Sequence, residues 1–181
     1  MRNRIFVCGF AALLCSTVYT ANVEAGEVEV KWQAPEKFTD IQPANDSRSA
    51  YRERVIKKFD GFFQQLATKL PEGYTWQVTV TDIDLAGDVD YFAGGAGNAL
   101  RVVKDLYSPA IKFTHVLRDK HGEELINTEE KLRDLGFMQS IRSNNDSNEF
   151  HYEQTMLQNW FNKELLPKVE QHNAALPKVS Q

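Results

Sequence analysis

Cysteine is nearly absent from this 181-residue sequence, which contains only Cys8 and Cys15. Because both precede residue 26, the rest of the chain can form no disulfide and offers no thiolate nucleophile or metal ligand. A basic excess is also absent, since 21 lysines and arginines stand against 25 aspartates and glutamates. The chain lacks the positive charge that binding to a phosphate backbone requires, so we expect no nucleic-acid partner.

Long hydrophobic runs are missing except at residues 5–18, which follow two arginines. This run is too short for a hydrocarbon core of roughly 30 Å, which needs about 20 apolar residues, so we expect no transmembrane segment. The pattern predicts a cleavable signal peptide over residues 1–25, with the cut after Ala25, and export to the periplasm. Leu14 stands where lipoprotein signals carry a small residue, which disfavours lipidation of Cys15 and leaves that question open.

The remaining length suits one domain with its own core, because 42% of the residues are hydrophobic and only 25% are charged. We assign residues 26–167 to a single α+β domain. Residues 168–181 carry few apolar side chains and follow a proline, so they predict a flexible C-terminal tail.

Hydrophobic periodicity predicts the first elements. Val28, Val30 and Trp32 alternate with polar residues, which indicates a strand with one buried face. The polar residues 45–47 supply capping oxygens for a helix that ends before Pro71. Its apolar stripe has three- and four-residue spacing and comprises Tyr51, Val55, Phe59, Phe62, Leu66 and Leu70.

Residues 74–85 predict a second strand whose alternation changes parity near Asp82. Either a β-bulge moves the later side chains to the opposite face of the strand, or other elements cover both faces of the sheet. We favour the bulge, because it keeps Asp82 and Asp84 out of the core. Residues 111–117, a turn at 119–122 and residues 124–132 predict a hairpin. A last helix ends at Pro167. The fold class is therefore α+β, a mixed four- to five-stranded sheet with two helices packed on one face, in the order β-α-β-(β)-β-β-α.

A run of four aspartates lies within nine residues at the end of the second strand. Ca²⁺ is the ion that such a loop would bind, but Ala86 and Ala93 occupy positions where an EF-hand requires ligands. A solvated turn with Arg101 or Lys104 as the counter-charge is the more ordinary interpretation, and we expect no metal. If a metal did bind here, its ligands would be Asp82, Asp84, Asp88 and Asp90.

A glycine-rich segment follows inside a connection that is long for a compact domain, residues 86–109. It lacks the glycine spacing of phosphate-binding loops, which leaves a flexible loop or a flap that a partner closes. Its two neighbouring aromatic residues belong to no periodic face, so they mark a contact surface if they are exposed. The predicted binding surface comprises Tyr91, Phe92, Gly94, Gly95, Gly97 and Asn98.

Catalytic signatures are missing. The four histidines form no motif: His121 lies in the predicted turn, His172 in the predicted tail, and His115 within an apolar strand face as a hydrogen-bonded core residue. A zinc site therefore has no three evident ligands, and the sequence contains no Gly-x-Ser-x-Gly elbow. We expect no cofactor and assign no catalytic residue.

Several motifs resemble a family of exported proteobacterial proteins catalogued as domain of unknown function 3016. The resemblance covers about residues 28–166 and rests on Trp32 with residues 35–41, on residues 82–89, and on the pairs at 152–153, 156–157 and 160–161. It implies export from a Gram-negative cell and brings no activity, cofactor or catalytic residue with it.

These observations favour a soluble periplasmic protein, a non-catalytic binding or accessory module of the cell envelope. Its partner would be an envelope protein or a small ligand, and the sequence leaves the partner's identity and the oligomeric state open. The alternative is a periplasmic hydrolase that uses the carboxylates of residues 82–90, with or without a divalent metal.

Overall fold

A computed structural model describes residues 25–139 and 148–176 of the chain. The predicted signal peptide lies outside these ranges except for Ala25, as do the last residues of the predicted tail, 177–181. No helix in the described ranges combines the length and the apolar character that crossing a membrane requires.

In the described ranges, six strands form two sheets. In chain order they are β1 (Glu27–Trp32), β2 (Thr75–Asp84), β3 (Asp88–Asp90), β4 (Leu100–Val102), β5 (Ala110–Arg118) and β6 (Glu124–Arg133). The main sheet has the order β1-β2-β5-β6, with β1 parallel to β2 and the other pairs antiparallel. This confirms the predicted α+β class and mixed sheet. The small sheet of β3 and β4 was not expected, because strands of three residues are too short to show a period.

Helix α1 (Arg48–Ala67) crosses from β1 to β2. It begins as predicted, since the Ser47 hydroxyl accepts a hydrogen bond from the Ala50 backbone N–H at 3.2 Å. The second helical segment runs through α2 (His151–Trp160), a π-helical turn (Phe161–Leu165) and α3 (Leu166–Ala175). Both helical segments pack on one face of the main sheet, as expected, and the opposite face is polar.

The predicted end of the last helix at Pro167 is wrong, because the helix continues to Ala175. In the π turn the Leu166 N–H donates to the Phe161 carbonyl, five residues earlier, and Pro167 then enters the first turn of α3. A proline has no N–H to donate, so the first turn of a helix tolerates it. Burial of Val169 against the core extends the packed segment into the region predicted as a tail.

The predicted bulge is present. The pairing of β2 with β5 shifts register between Val80 and Asp82. Trp76, Val78 and Val80 precede the shift and Ile83 follows it, and all are fully buried on the same face. One extra residue thus restores the core face after the parity change, and the aspartates point to the polar side.

Aromatic side chains fill the space between the sheet and the helices. The rings of Phe113 and Trp160 have centroids 5.1 Å apart, and Trp76 lies 5.5 Å from Phe161. Removing the apolar surface of a phenylalanine or leucine side chain from water stabilises the folded state by about 1.5–3 kcal/mol for each fully buried residue.

Candidate functional site

The segment between β2 and β5 leaves the main sheet and forms a small sheet of its own; we call residues 86–107 the flap. Strands β3 and β4 form its base, and the glycine-rich residues 91–98 form its tip. The tip folds on its own backbone: the Asn98 N–H donates to the Gly95 carbonyl at 2.9 Å, and the Phe92 N–H donates to the Asp90 carboxylate at 2.9 Å.

Glycines are required at specific points of the tip. A Cβ at Gly94 would collide with the backbone of Asn98, and Gly97 has a φ of +84°, which strains other residues. The predicted glycine-rich loop is therefore a compact turn with hydrogen bonds of its own. No phosphate-binding signature is needed to account for the glycines.

Polar contacts from two distant parts of the chain, residues 40–45 and α2, fasten the base of the flap. Arg101 forms a two-point ion pair with Asp40, at 2.8 and 3.1 Å, and also donates to the Gly87 carbonyl at 3.1 Å. The side-chain amide of Asn45 donates to the Ala99 carbonyl at 2.8 Å and accepts from the Ala99 N–H at 3.2 Å.

Glu153 completes the anchoring from α2. Its side chain is almost completely buried, and Oε1 accepts a hydrogen bond from the Ala86 N–H at 2.6 Å, while Oε2 has no hydrogen-bond partner. Burial raises the pKa of Glu153, an effect that the Ala86 N–H and the charge of Arg101 partly oppose. Sequence analysis used the pair at 152–153 for the family resemblance but assigned Glu153 no role, because a single glutamate at the start of a helix is unremarkable.

The flap exposes several large apolar side chains among polar ones. Phe92 is 90% exposed and Tyr91 is 56% exposed. Their interpretation as a contact surface required that they be exposed, and both are. Within the described ranges, the seven large hydrophobic side chains that are exposed include five on the flap, namely Tyr91, Phe92, Leu100, Leu106 and Tyr107. Sequence analysis placed only the first two of these on the surface.

The four carboxylates proposed as possible metal ligands have separate partners. Asp82 accepts hydrogen bonds from Lys112 Nζ at 2.8 Å and from the Thr39 N–H at 2.7 Å. Burial raises the pKa of Asp82, but its contacts with Lys112 and Thr39 outweigh that effect and lower the pKa below its usual value. Asp84 pairs with Arg133 at 2.9 Å. Asp88 and Asp90 accept backbone N–H groups within two residues of themselves.

The counter-charges expected for this run, Arg101 and Lys104, are not the ones that Asp82 and Asp84 use. The bulge turns Asp82 onto the polar face of the sheet, where Lys112 is its register partner on β5. Arg133 lies one strand further, on β6. Arg101 contacts Asp40 instead, because β4 carries it to the base of the flap.

The structure confirms the prediction that His115 is a hydrogen-bonded core residue. It is 2% exposed, and its Nδ1 accepts a hydrogen bond from Trp76 Nε1 at 3.2 Å. Its Nε2 therefore carries the proton of the neutral ring and faces Glu130 Oε1 at 3.5 Å.

A second group of polar side chains lies at the other end of the sheet, around the turn between β5 and β6. Ligand atoms of Asp119, Glu123 and His172 all lie within 4.8 Å of one another. The first two residues belong to the turn and the third to α3. Sequence analysis missed this group, since it placed His172 in a tail and found no motif that linked it to the turn.

Comparison with known proteins gives a family and no more. The family model described as "Protein of unknown function (DUF3016)" matches residues 26–163. Neither a curated protein nor a solved structure matches the chain. Since the family model spans well over half of the sequence, the chain belongs to the DUF3016 family, as its motifs suggested.

Proposed function

We propose that this DUF3016 protein is a non-catalytic binding or accessory module of the cell envelope, which acts in the periplasm and binds a protein partner through its flap. The observation that carries the proposal is the concentration of exposed apolar side chains on the flap, five of the seven in the described ranges. Exposed large apolar side chains that are concentrated in one segment are characteristic of sites that a partner covers.

The fastening of the flap supports a pre-organised contact surface. Arg101 and Asn45 tie its base to the body of the protein, and Glu153 holds its first residue. A surface that is held in place before binding loses little conformational freedom on binding, which favours affinity. The exposed aromatic rings at the tip are of the kind that dominates protein interfaces.

A protein partner suits this surface better than a small ligand. Small molecules bind in concave sites that enclose most of their surface, whereas Tyr91 and Phe92 are largely exposed to solvent. The hydrolase alternative finds no support at residues 82–90, because Asp82 and Asp84 are paired with cations and their neighbours with backbone N–H groups. The signal-peptide pattern of residues 1–25 is the basis for the proposed location.

Site-specific photocrosslinking tests the proposal. A photoreactive amino acid replaces Phe92 in one variant and Thr114, an exposed residue on the polar face of the sheet, in a matched control. Irradiation of intact cells should give a discrete adduct with another envelope protein from position 92 and none from position 114.

Alanine substitution then measures the contribution of the ring. Phe92→Ala should weaken binding of the captured partner by about 2 kcal/mol, or roughly thirtyfold, as expected for a central aromatic contact. The proposal fails if position 92 gives no adduct, if position 114 gives the same adduct, or if the adduct contains only two copies of this chain.

A further inference from the structure

The turn between β5 and β6 holds one carboxylate in a fixed orientation. Asp119 Oδ1 accepts hydrogen bonds from the His121 N–H at 2.8 Å and from the Glu123 N–H at 2.9 Å. The Asp119 N–H donates in turn to the Glu123 carbonyl at 3.0 Å. With Oδ1 engaged by the turn, Oδ2 is left to interact with α3, and the whole side chain is only 2% exposed.

His172 of α3 faces this oxygen as an ion-pair partner, at a separation longer than that of a charge-assisted hydrogen bond. Its Nε2 is buried, has no hydrogen-bond partner, and lies 3.5 Å from Asp119 Oδ2. A charge-assisted hydrogen bond would close to about 2.7–2.9 Å. Two ligands that share a tetrahedral zinc ion, with bonds of about 2.0–2.2 Å, are instead separated by roughly 3.3–3.5 Å.

Glu123 provides a third ligand from the same turn. Its ligand oxygen lies within 4.8 Å of those of Asp119 and His172. Because this side chain is exposed, packing does not restrict rotation about its bonds, whereas Asp119 is buried and His172 is partly buried. Three protein ligands leave a fourth position for water or for a bound molecule.

A cavity of about 510 Å³ lies beside the cluster, with Asp119 in its wall. Tyr74 and Asn173 line the same cavity, and the Tyr74 hydroxyl donates to Asn173 Oδ1 at 2.7 Å. The wall thus joins the turn to α3, and an ion held by the cluster would connect these two elements.

We propose that Asp119, Glu123 and His172 form a binding site for one divalent zinc ion. The imidazole nitrogen selects a transition metal over Ca²⁺ or Mg²⁺, which take six or more oxygen ligands. Without cysteine ligands, two carboxylates and one histidine make an N,O site of the kind that zinc accepts. The site is independent of the flap and of the function proposed for it.

The test uses the full chain with Cys8→Ser and Cys15→Ser, so that no thiol competes for the ion. After removal of metals by a chelator, zinc chloride is titrated in by calorimetry, and thermal unfolding is followed with and without zinc. We expect one zinc ion per chain and a higher unfolding temperature with zinc, because an ion that binds only the folded state stabilises it. Calcium chloride at the same concentration should have no effect.

Three variants assign the binding to these residues. His172→Gln and Glu123→Gln each remove a ligand. Each should weaken zinc binding by about tenfold to hundredfold. His121→Gln is the matched control, because His121 lies in the same turn but contributes only its backbone N–H to Asp119. If His172→Gln fails to fold, the exposed Glu123 carries the test alone.

The proposal is overturned by any of three results. These are the absence of stoichiometric zinc binding to the full chain, unchanged affinity in the ligand variants, and an equal loss of affinity in His121→Gln.

Discussion

Aromatic residues occupy two contrasting settings in this protein. In the core, Trp76, Phe113 and Trp160 enclose His115 and pack ring against ring between sheet and helix. On the flap, Tyr91 and Phe92 project into solvent from a turn. The flap is held by hydrogen bonds and ion pairs at its base, whereas the core is held by apolar burial. Similar side chains therefore stabilise the fold in one region and remain available for binding in the other.

The largest expected difference between the two regions is in the free energy of unfolding, when one phenylalanine in each region is replaced by aspartate. Phe59→Asp places a charge in a site with no exposed surface and removes a ring whose loss alone costs about 3–5 kcal/mol, so the protein should not fold. Phe92→Asp should change the free energy of unfolding by less than about 0.5 kcal/mol. Circular dichroism and thermal unfolding compare the two variants. A loss of more than about 2 kcal/mol in Phe92→Asp would show that the flap aromatics support the fold.

A smaller effect should appear in the pH dependence of the core. Burial, and to a lesser degree the charge of Lys168, lowers the pKa of His115 to about 4. The folded state therefore favours the neutral ring, whereas the unfolded state binds a proton near pH 6.5. The resulting stabilisation is complete above about pH 6.5 and is lost as the pH falls towards 4, by about 3 kcal/mol in total.

The variant His115→Gln isolates this contribution, because glutamine keeps an acceptor for Trp76 Nε1 and does not titrate in this range. Urea unfolding of both proteins, followed by tryptophan fluorescence at about pH 7 and pH 4, gives the difference in stability. That difference should shrink by about 3 kcal/mol towards the lower pH. A difference that stays constant over this interval would contradict the buried, neutral state of His115 beside Glu130.

The smallest effect is expected where the flap joins the body. Arg101→Met keeps the length of the side chain but leaves Asp40 without its ion-pair partner, which should cost about 2 kcal/mol. Amide hydrogen exchange should accelerate in residues 86–107 and remain slow in β5. Lys104→Met, at an exposed position in the same segment, is the control and should leave both rates unchanged. Equal acceleration in β5 would mean that Arg101 supports the whole fold.

Prediction from sequence succeeded where the signal was local and strong. The stripe that includes Val55 and Phe59 predicted α1 and its buried face, and the parity change near Asp82 predicted the bulge. In both cases a repeating pattern extends over enough residues to define a face. It failed at β3 and β4, which are too short for a pattern, and at Pro167, where a π turn admits a residue that usually ends a helix.

The candidate sites show a different limit. Tyr91 and Phe92 were singled out because they neighbour glycines and lie outside any periodic stripe, but their exposure was left as a condition that only the structure could meet. The fastening of the flap through Glu153 and the approach of His172 to Asp119 were not predictable, since each joins segments that are far apart in the sequence.

The amino-acid order alone determined the α+β class, the one-sided sheet and the thiol-free domain, because periodicity and composition act over a few neighbouring residues. Only the tertiary structure decided which polar groups from distant parts of the chain meet. It pairs Arg101 with Asp40 across 61 positions and Asn45 with Ala99 across 54. Folding brings such residues together through the packing of the whole sheet, and no spacing in the chain encodes a distance between them.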